Sequence, residues 1–392
     1  MGLSSDKTSR SDKSVLITGA RAPVALHAAR LFHQDGWRVI MADTPRHPVS
    51  AASTCCGSYY QLPSPRYALA DYADAMDTVL VAEECSLVVP TCEEIFYLAR
   101  IWQERDFTAE LFAPDLPLLE EVHNKDRFIK LCKHLDLPTP ETRLLQSRAD
   151  LNTTLDQCAS LVYKPAWSRF ADRVLIQPKA GQLSTIIPSP QEPWVAQHYL
   201  EGEEICAYGV ARNGHLLALG LYHSSWRAGK GAGIYFDSIR DQASLEFVQQ
   251  FVAKTAWTGQ ISFDLMRLRD GSILPLECNP RTVSGLHLFR RNNPLFTRDT
   301  GTLLEPDIPK PQMIKLAMWI YALPAAIKSG KTADFFRSLN KAEDVMSWPY
   351  DPLSKSRQLK SFVEILTLAA RKGITPQQAS TRDIEWNGNW CD

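Results

Sequence analysis

The rhythm of hydrophobic and polar residues changes along this chain. From Ser14 the run SVLITGA is continuously apolar, Pro23–Gln34 recurs with helical spacing, and residues 37–42 are apolar again up to Asp43. Two buried strands around a helix predict a βαβ beginning. Residues 72–84 read as a second helix, 86–90 (SLVVP) as a third buried strand, and another helix runs from Thr91-Cys92-Glu93-Glu94 through Gln103. Parallel sheets take ligands at loops beyond the carboxyl ends of their strands, so Glu93 and Glu94 are candidate substrate contacts. The competing reading is that they only favour the N-terminus of the following helix. The turn Thr18-Gly19-Ala20-Arg21 lacks the G-x-G-x-x-G spacing, and Asp43 is loosely placed for a ribose, which argues against a dinucleotide.

Further on, 124–135 (NKDRFIKLCKHL) is an amphipathic helix that stops before Pro138 and Pro140, and Leu161–Pro165 (LVYKP) is a short strand whose lysine sits among apolar neighbours. Such a lysine needs an anion or must snorkel. Residues 194–223 predict a three-stranded meander with turns at Glu201-Gly202 and Asn213-Gly214. The pattern is thus β-rich where the first third is α/β, which puts a domain change between residues 120 and 161. Arg227 and Lys230 then lie in a glycine-containing loop suited to phosphate, or simply to solvent, and 244–255 is helical.

The stretch 261–281, ISFDLMRLRDGSILPLECNPR, reads as a β-hairpin about Asp270-Gly271. Pairing Arg269 with Ser272 places Asp264 opposite Glu277 and Ser262 opposite Asn279. The two acids then form a non-hydrogen-bonded pair with Cα atoms about 4.5 Å apart and side chains on one face. They repel unless a cation, a shared proton or basic neighbours compensate; a surface hairpin with solvated acids is the plain alternative. Asn279 adds an oxygen donor on the same face, and oxygen-only ligation suits Mg²⁺ or Mn²⁺ better than zinc.

At 392 residues, 45% hydrophobic and 22% charged, the chain predicts two or three globular domains. Its net charge of -1 gives no electrostatic case for nucleic acid or an anionic membrane. Nine cysteines without a C-x-x-C pair read as free thiols, no apolar run approaches membrane-spanning length, and the polar start lacks a signal-peptide core, so a cytoplasmic location is expected. Residues 1–13 are expected to be a disordered tail.

Taken in order, the α/β start, the N-K-D helix, the K-P strand, Q-x-Y-L-E-G-E-E and F-D…E-C-N-P-R resemble the ATP-grasp ligase superfamily over roughly residues 14–300, in particular the carboxylate-amine ligases with an E-x-N-P-R metal motif. The resemblance implies an N-terminal α/β domain (14–120), an α+β ATP-grasp lid (121–200), a β-rich metal and nucleotide subdomain (201–300) and a mostly helical C-terminal extension (301–392). It implies ATP and Mg²⁺ (or Mn²⁺) as cofactors. Lys125, Lys164 and Ser168 would contact phosphate, Gln197, Tyr199 and Leu200 the adenine, and Glu204 the ribose. Asp264, Glu277 and Asn279 would hold the metal. Arg281 and Lys230 would be catalytic, and Glu93, Arg227 and Arg281 would meet the substrate. The implied reaction joins a small-molecule carboxylate to an amine through an acyl phosphate, with no nucleic acid or membrane partner. One departure stands out: residues 166–173, AWSRFADR, contain no glycine where the family usually carries a glycine-rich phosphate loop. That departure keeps a non-catalytic nucleotide-binding homologue as the alternative, with a carboxylase behind it. The extension would cover the acceptor site, form a homodimer contact, or pack on the preceding domain.

Overall fold

The computed structural model describes residues 13–168, 173–229, 231–290, 294–353 and 355–390, which form two compact units. The first comprises the described residues up to Phe112 together with Pro294 and 349–385. Its elements are β1 (Ser14–Thr18), α1 (Pro23–Gln34), β2 (Arg38–Asp43), β3 (Ser58–Gln61), α2 (Leu69–Ala82), β4 (Leu87–Val89), α3 (Glu94–Glu104) and β5 (Glu110–Leu111). The strands make a parallel sheet in the order β3-β2-β1-β4-β5, as expected of apolar strands separated by helices. Leu16, Ile40 and Val88 of the three central strands are wholly buried against Tyr72, Met76 and Leu98 of the helices. Asp43, the loosely placed ribose candidate, is instead bound by the Arg21 guanidinium at 2.6 Å, and Arg21 also reaches Asp383 at 2.6 Å.

The second unit contains residues 113–290 and 295–348, with 386–390. It begins with α4 (Leu116–His123) and α5 (Lys125–His134) and continues through β6 (Thr142–Leu145), α6 (Arg148–Asn152), β7 (Leu161–Pro165), β8 (Leu175–Ile176) and β9 (Trp194–His198). The strands form an antiparallel sheet ordered β6-β9-β7-β8. Next come β10 (Gly202–Arg212), β11 (His215–His223), β12 (Arg227–Ala228), β13 (Ala232–Gly233), β14 (Tyr235–Ile239), α7 (Gln242–Lys254), β15 (Gly259–Leu268), β16 (Ile273–Asn279), β17 (Gln312–Met313) and β18 (Glu343–Asp344). A seven-stranded sheet runs β16-β15-β10-β11-β14-β17-β18, backed by Phe247 and Phe251 of α7, which meet Phe263 edge-to-face.

Two local expectations need correction. The meander is not one: β9 belongs to the smaller sheet and β10 to the larger, so Glu201-Gly202 is a passage between sheets and only Asn213-Gly214 closes a hairpin. At the second hairpin the loop holds three residues, 269–271, with Gly271 at φ +86° and the Leu268 amide donating to the Ser272 carbonyl. That shifts Arg267 opposite Ile273, and an extra residue, Leu276, then bulges out of β16 and restores Asp264 opposite Glu277. The residues grouped as one extension, 301–392, are divided between the two units. Among the described residues no helix is long and apolar enough to cross a membrane.

Candidate active site

The bulge in β16 is where the site is built. Leu276 has no partner residue on β15, and its carbonyl accepts a hydrogen bond from Lys164 Nζ at 2.9 Å. Lys164 is 7% exposed and Lys125 4%. Asn124 caps α5, accepting from the amides of Asp126 and Arg127, and this sets Lys125 at the first helical turn facing inward. Its Nζ lies 3.4 Å from Glu277 and donates to the Ser168 carbonyl at 2.9 Å. The lysine that needed an anion therefore has Glu277 beside it, shared with a second buried ammonium.

Charge is distributed unevenly across the acid pair. Burial pushes Asp264 upward, the facing Glu277 and then Glu204 push it further, and the Asp264 carboxyl stands at about 8. Burial also works against the Glu277 anion, but Lys125 and Lys164 outweigh it and hold the carboxyl at about 2. Burial pulls Lys164 down to about 8 despite Glu277. At neutral pH the two acids thus share one proton. Asn279 donates to Glu277 at 3.4 Å and accepts from Arg281 at 3.2 Å, which ties the ends of the E-C-N-P-R run together.

The sequence reading missed Cys206 and Tyr222. Cys206 faces Asp264 across the β10–β15 ladder, and Glu204, Cys206 and Asp264 bring donor atoms within 4.8 Å of one another. Alternation along a strand could have found Cys206, two residues after Glu204 and on the same face. Tyr222 opposes Cys206 only because a register shift at Val210/Ala211 intervenes, and the sequence carries no signal of that shift. Burial, followed by Asp264 and Glu204, pushes the Cys206 thiol up, so oxygen remains the dominant donor. Two acids that hold a proton between them, with an amide oxygen adjacent, fit a hard divalent cation. Such a cation must displace that proton. Affinity for Mn²⁺ should therefore rise with pH toward about 8, by up to about tenfold per unit, with proton release on binding. Calorimetry in two buffers of different ionisation enthalpy reads this, and flat affinity from about pH 6 to 8 would rule it out.

The other candidate residues are variously placed. Gln197 opposes Val162, shares a face with Lys164, and donates to Thr142 Oγ1 at 3.1 Å. The Tyr199 amide is committed to the Ser160 carbonyl at 2.8 Å, leaving that N–H occupied within the sheet, and Leu200 follows it before β10. The Ser168 hydroxyl turns back to the Pro165 carbonyl at 3.3 Å. Glu204 is bound by Arg227 at 2.5 Å, so the ribose candidate and a substrate candidate are partners here. Lys230 lies outside the described residues. Glu93 and Glu94 belong to the first unit, where Glu93 is 1% exposed. One oxygen of Glu94 accepts from the Thr18 hydroxyl and from the amides of Thr91 and Cys92, tying the ends of β1 and β4 together.

No protein-family model and no curated protein matches the sequence. Solved structures do resemble the fold. An L-amino acid ligase from Bacillus licheniformis is similar at 17% identity and TM-score 0.55, over 70% of this chain and 68% of that one. N5-carboxyaminoimidazole synthetase from Staphylococcus aureus, complexed with ADP, is similar at 12% identity and TM-score 0.57, over 76% and 81%. Phosphoribosylamine–glycine ligase from Thermotoga maritima gives 15% identity and TM-score 0.54, over 69% of each chain. With that likeness added to the site geometry, the chain has the ATP-grasp fold.

Proposed function

We propose that the protein is an ADP-forming carboxylate-amine ligase. The observation that carries the reading is the acid pair Asp264–Glu277 with Lys125 and Lys164 beside it, all on elements of an ATP-grasp fold. Anionic and cationic groups packed together at low exposure suit a ligand that brings both signs, a polyphosphate with its metal ion. The ADP complex of the S. aureus neighbour and the MgADP complex of a 2-oxoglutarate carboxylase's biotin carboxylase domain support ATP and Mg²⁺ as cofactors.

In this reading Asp264, Glu277 and Asn279 hold the metal, which when bound neutralises phosphate charge and acts as a Lewis acid. Lys125 and Lys164 take the phosphates, Gln197 and the Tyr199-Leu200 segment border the base, and Arg281 faces the transferred phosphoryl group or the substrate carboxylate. The carboxylate oxygen bonds to the γ-phosphorus as the bond to ADP breaks. The amine then attacks the acyl carbon, forms the C–N bond and gives up a proton to solvent or to the departing phosphate as the acyl C–O bond breaks. Positioning and charge neutralisation supply the rate, so no protein nucleophile is required.

The test is ADP release over a panel of acids and amines, with the product identified by mass. Release that requires both partners supports ligation. The glycine-free loop 166–173 favours a second reading, a nucleotide-binding homologue without turnover. Tight ATP binding with no ADP from any pair would establish that instead, and bicarbonate as the sole effective acid would point to a carboxylase.

A further inference from the structure

The loop that follows Lys164 carries no glycine, yet its described part, Ala166-Trp167-Ser168, is closely held. The Ala166 amide donates to the Pro193 carbonyl at 2.8 Å, the Ala166 carbonyl accepts from the Lys125 amide at 3.0 Å, and the Ser168 carbonyl accepts from Lys125 Nζ. Trp167 is packed by aromatic and cationic neighbours: the His123 ring has its centroid 5.8 Å away, and the Arg127 guanidinium lies 5.8 Å from the indole. A third neighbour comes from the end of the chain. Gly388 sits so close to the indole that a Cβ there would fall 2.5 Å from Trp167 Cε2 and 2.6 Å from Nε1, and its φ of +85° is strained for any other L residue. The segment around it is anchored by Trp386, 2% exposed, whose ring lies 4.2 Å from that of Trp390.

We propose that Trp386–Trp390 is a strap that positions the 166–168 loop for the nucleotide's phosphates, so that packing on Trp167 replaces the backbone freedom of a glycine-rich loop. A glycine loop closes on its ligand and loses entropy in doing so; a loop already pinned from outside meets the phosphates in place. The strap also fixes the Ser168 carbonyl that holds Lys125 Nζ, so its influence reaches a phosphate-contacting ammonium. Gly388 and Trp167 act here as positioning residues. The inference rests on the nucleotide reading of the site.

The test uses the unaltered 392-residue chain, Gly388→Ala, and a chain ending at Glu385, each checked for melting temperature. Hydrogen exchange of the backbone around Ala166–Ser168, measured without nucleotide, should be faster in both variants. KM for ATP should rise by about tenfold or more with kcat changed much less, the signature of lost preorganisation, while KM for acid and amine should hold. Unchanged exchange in Gly388→Ala would overturn the strap. Tighter nucleotide binding on truncation would also overturn it, since the segment would then be an obstruction. Wild-type protein that binds no MgATP would instead overturn the nucleotide reading, while the exchange measurement would still decide whether the segment orders the loop.

Discussion

Asp264→Asn is expected to raise the melting temperature of the metal-free protein while abolishing turnover, whereas Glu277→Gln is expected to lower stability and abolish turnover together. Although the two acids face each other and would share one ligand, they stand in different electrostatic settings. Asp264 is pushed up to about 8 by burial, by Glu277 and by Glu204, so at neutral pH folding costs the uptake of a proton there, which a neutral amide does not need. That saving is worth about 1 kcal/mol, or roughly 2–4 °C in a folding unit of the size that carries the site. Glu277 is the counter-ion of two buried ammonium groups, 3.4 Å from Lys125 and the largest upward influence on Lys164. Removing it leaves both short of an anion. A broken buried pair costs several kcal/mol; because Glu277 keeps 26% exposure the lower end applies, about 3 kcal/mol, or roughly 6–12 °C. Each variant should lose at least about 100-fold in turnover, since both remove charge from the metal site. Thermal melting without metal, paired with ADP release, reads both effects. A Glu277→Gln protein as stable as wild type would mean the lysines are compensated elsewhere.

The acid pair was legible in the sequence for a specific physical reason. Strand alternation and a turn fix facing positions, and the error made at the turn, two residues for three, is cancelled by the Leu276 bulge before the site is reached. The bulge itself was not legible, although it frees the carbonyl that holds Lys164, because nothing in Pro275-Leu276-Glu277 marks an unpaired residue. Glu201-Gly202 misled for a related reason: a chain leaving one sheet for another carries the same turn residues as a hairpin. Propensity acts locally and does not say which sheet a strand joins. The Arg227–Glu204 pair was hidden likewise, since it joins β10 to the short strand β12 within a stretch that reads as a loop, and each residue's separate role looked complete.

The least legible region was the C-terminal one, and it holds the second large effect. Asp351, 0% exposed, accepts from Arg30 Nε at 2.7 Å, the Ser53 hydroxyl at 2.9 Å, and the Thr54 amide and hydroxyl at 2.8 and 3.0 Å. Arg30 is itself 1% exposed on α1, so the pair is fully enclosed within the first unit. Burial opposes the Asp351 anion, but the Thr54 amide, Arg30 and Ser53 outweigh it and hold the carboxyl below its usual range. Asp351→Ala takes the carboxylate away from the buried Arg30 guanidinium and should cost roughly 3–5 kcal/mol, seen as early unfolding in urea. Arg30→Met removes the guanidinium but leaves the Ser53 and Thr54 donors on the carboxylate, and should cost somewhat less. The double variant should cost less than the sum of the two, because each single variant already loses the Arg30–Asp351 interaction. The sign of the pH dependence follows from the lowered carboxyl: the stabilisation is present above the ordinary aspartate range and is lost as pH falls through the folded-state value. Additive effects in the double-mutant cycle would mean that Arg30 and Asp351 stabilise the unit separately, and that 349–385 is held to the parallel-sheet unit by packing rather than by this pair.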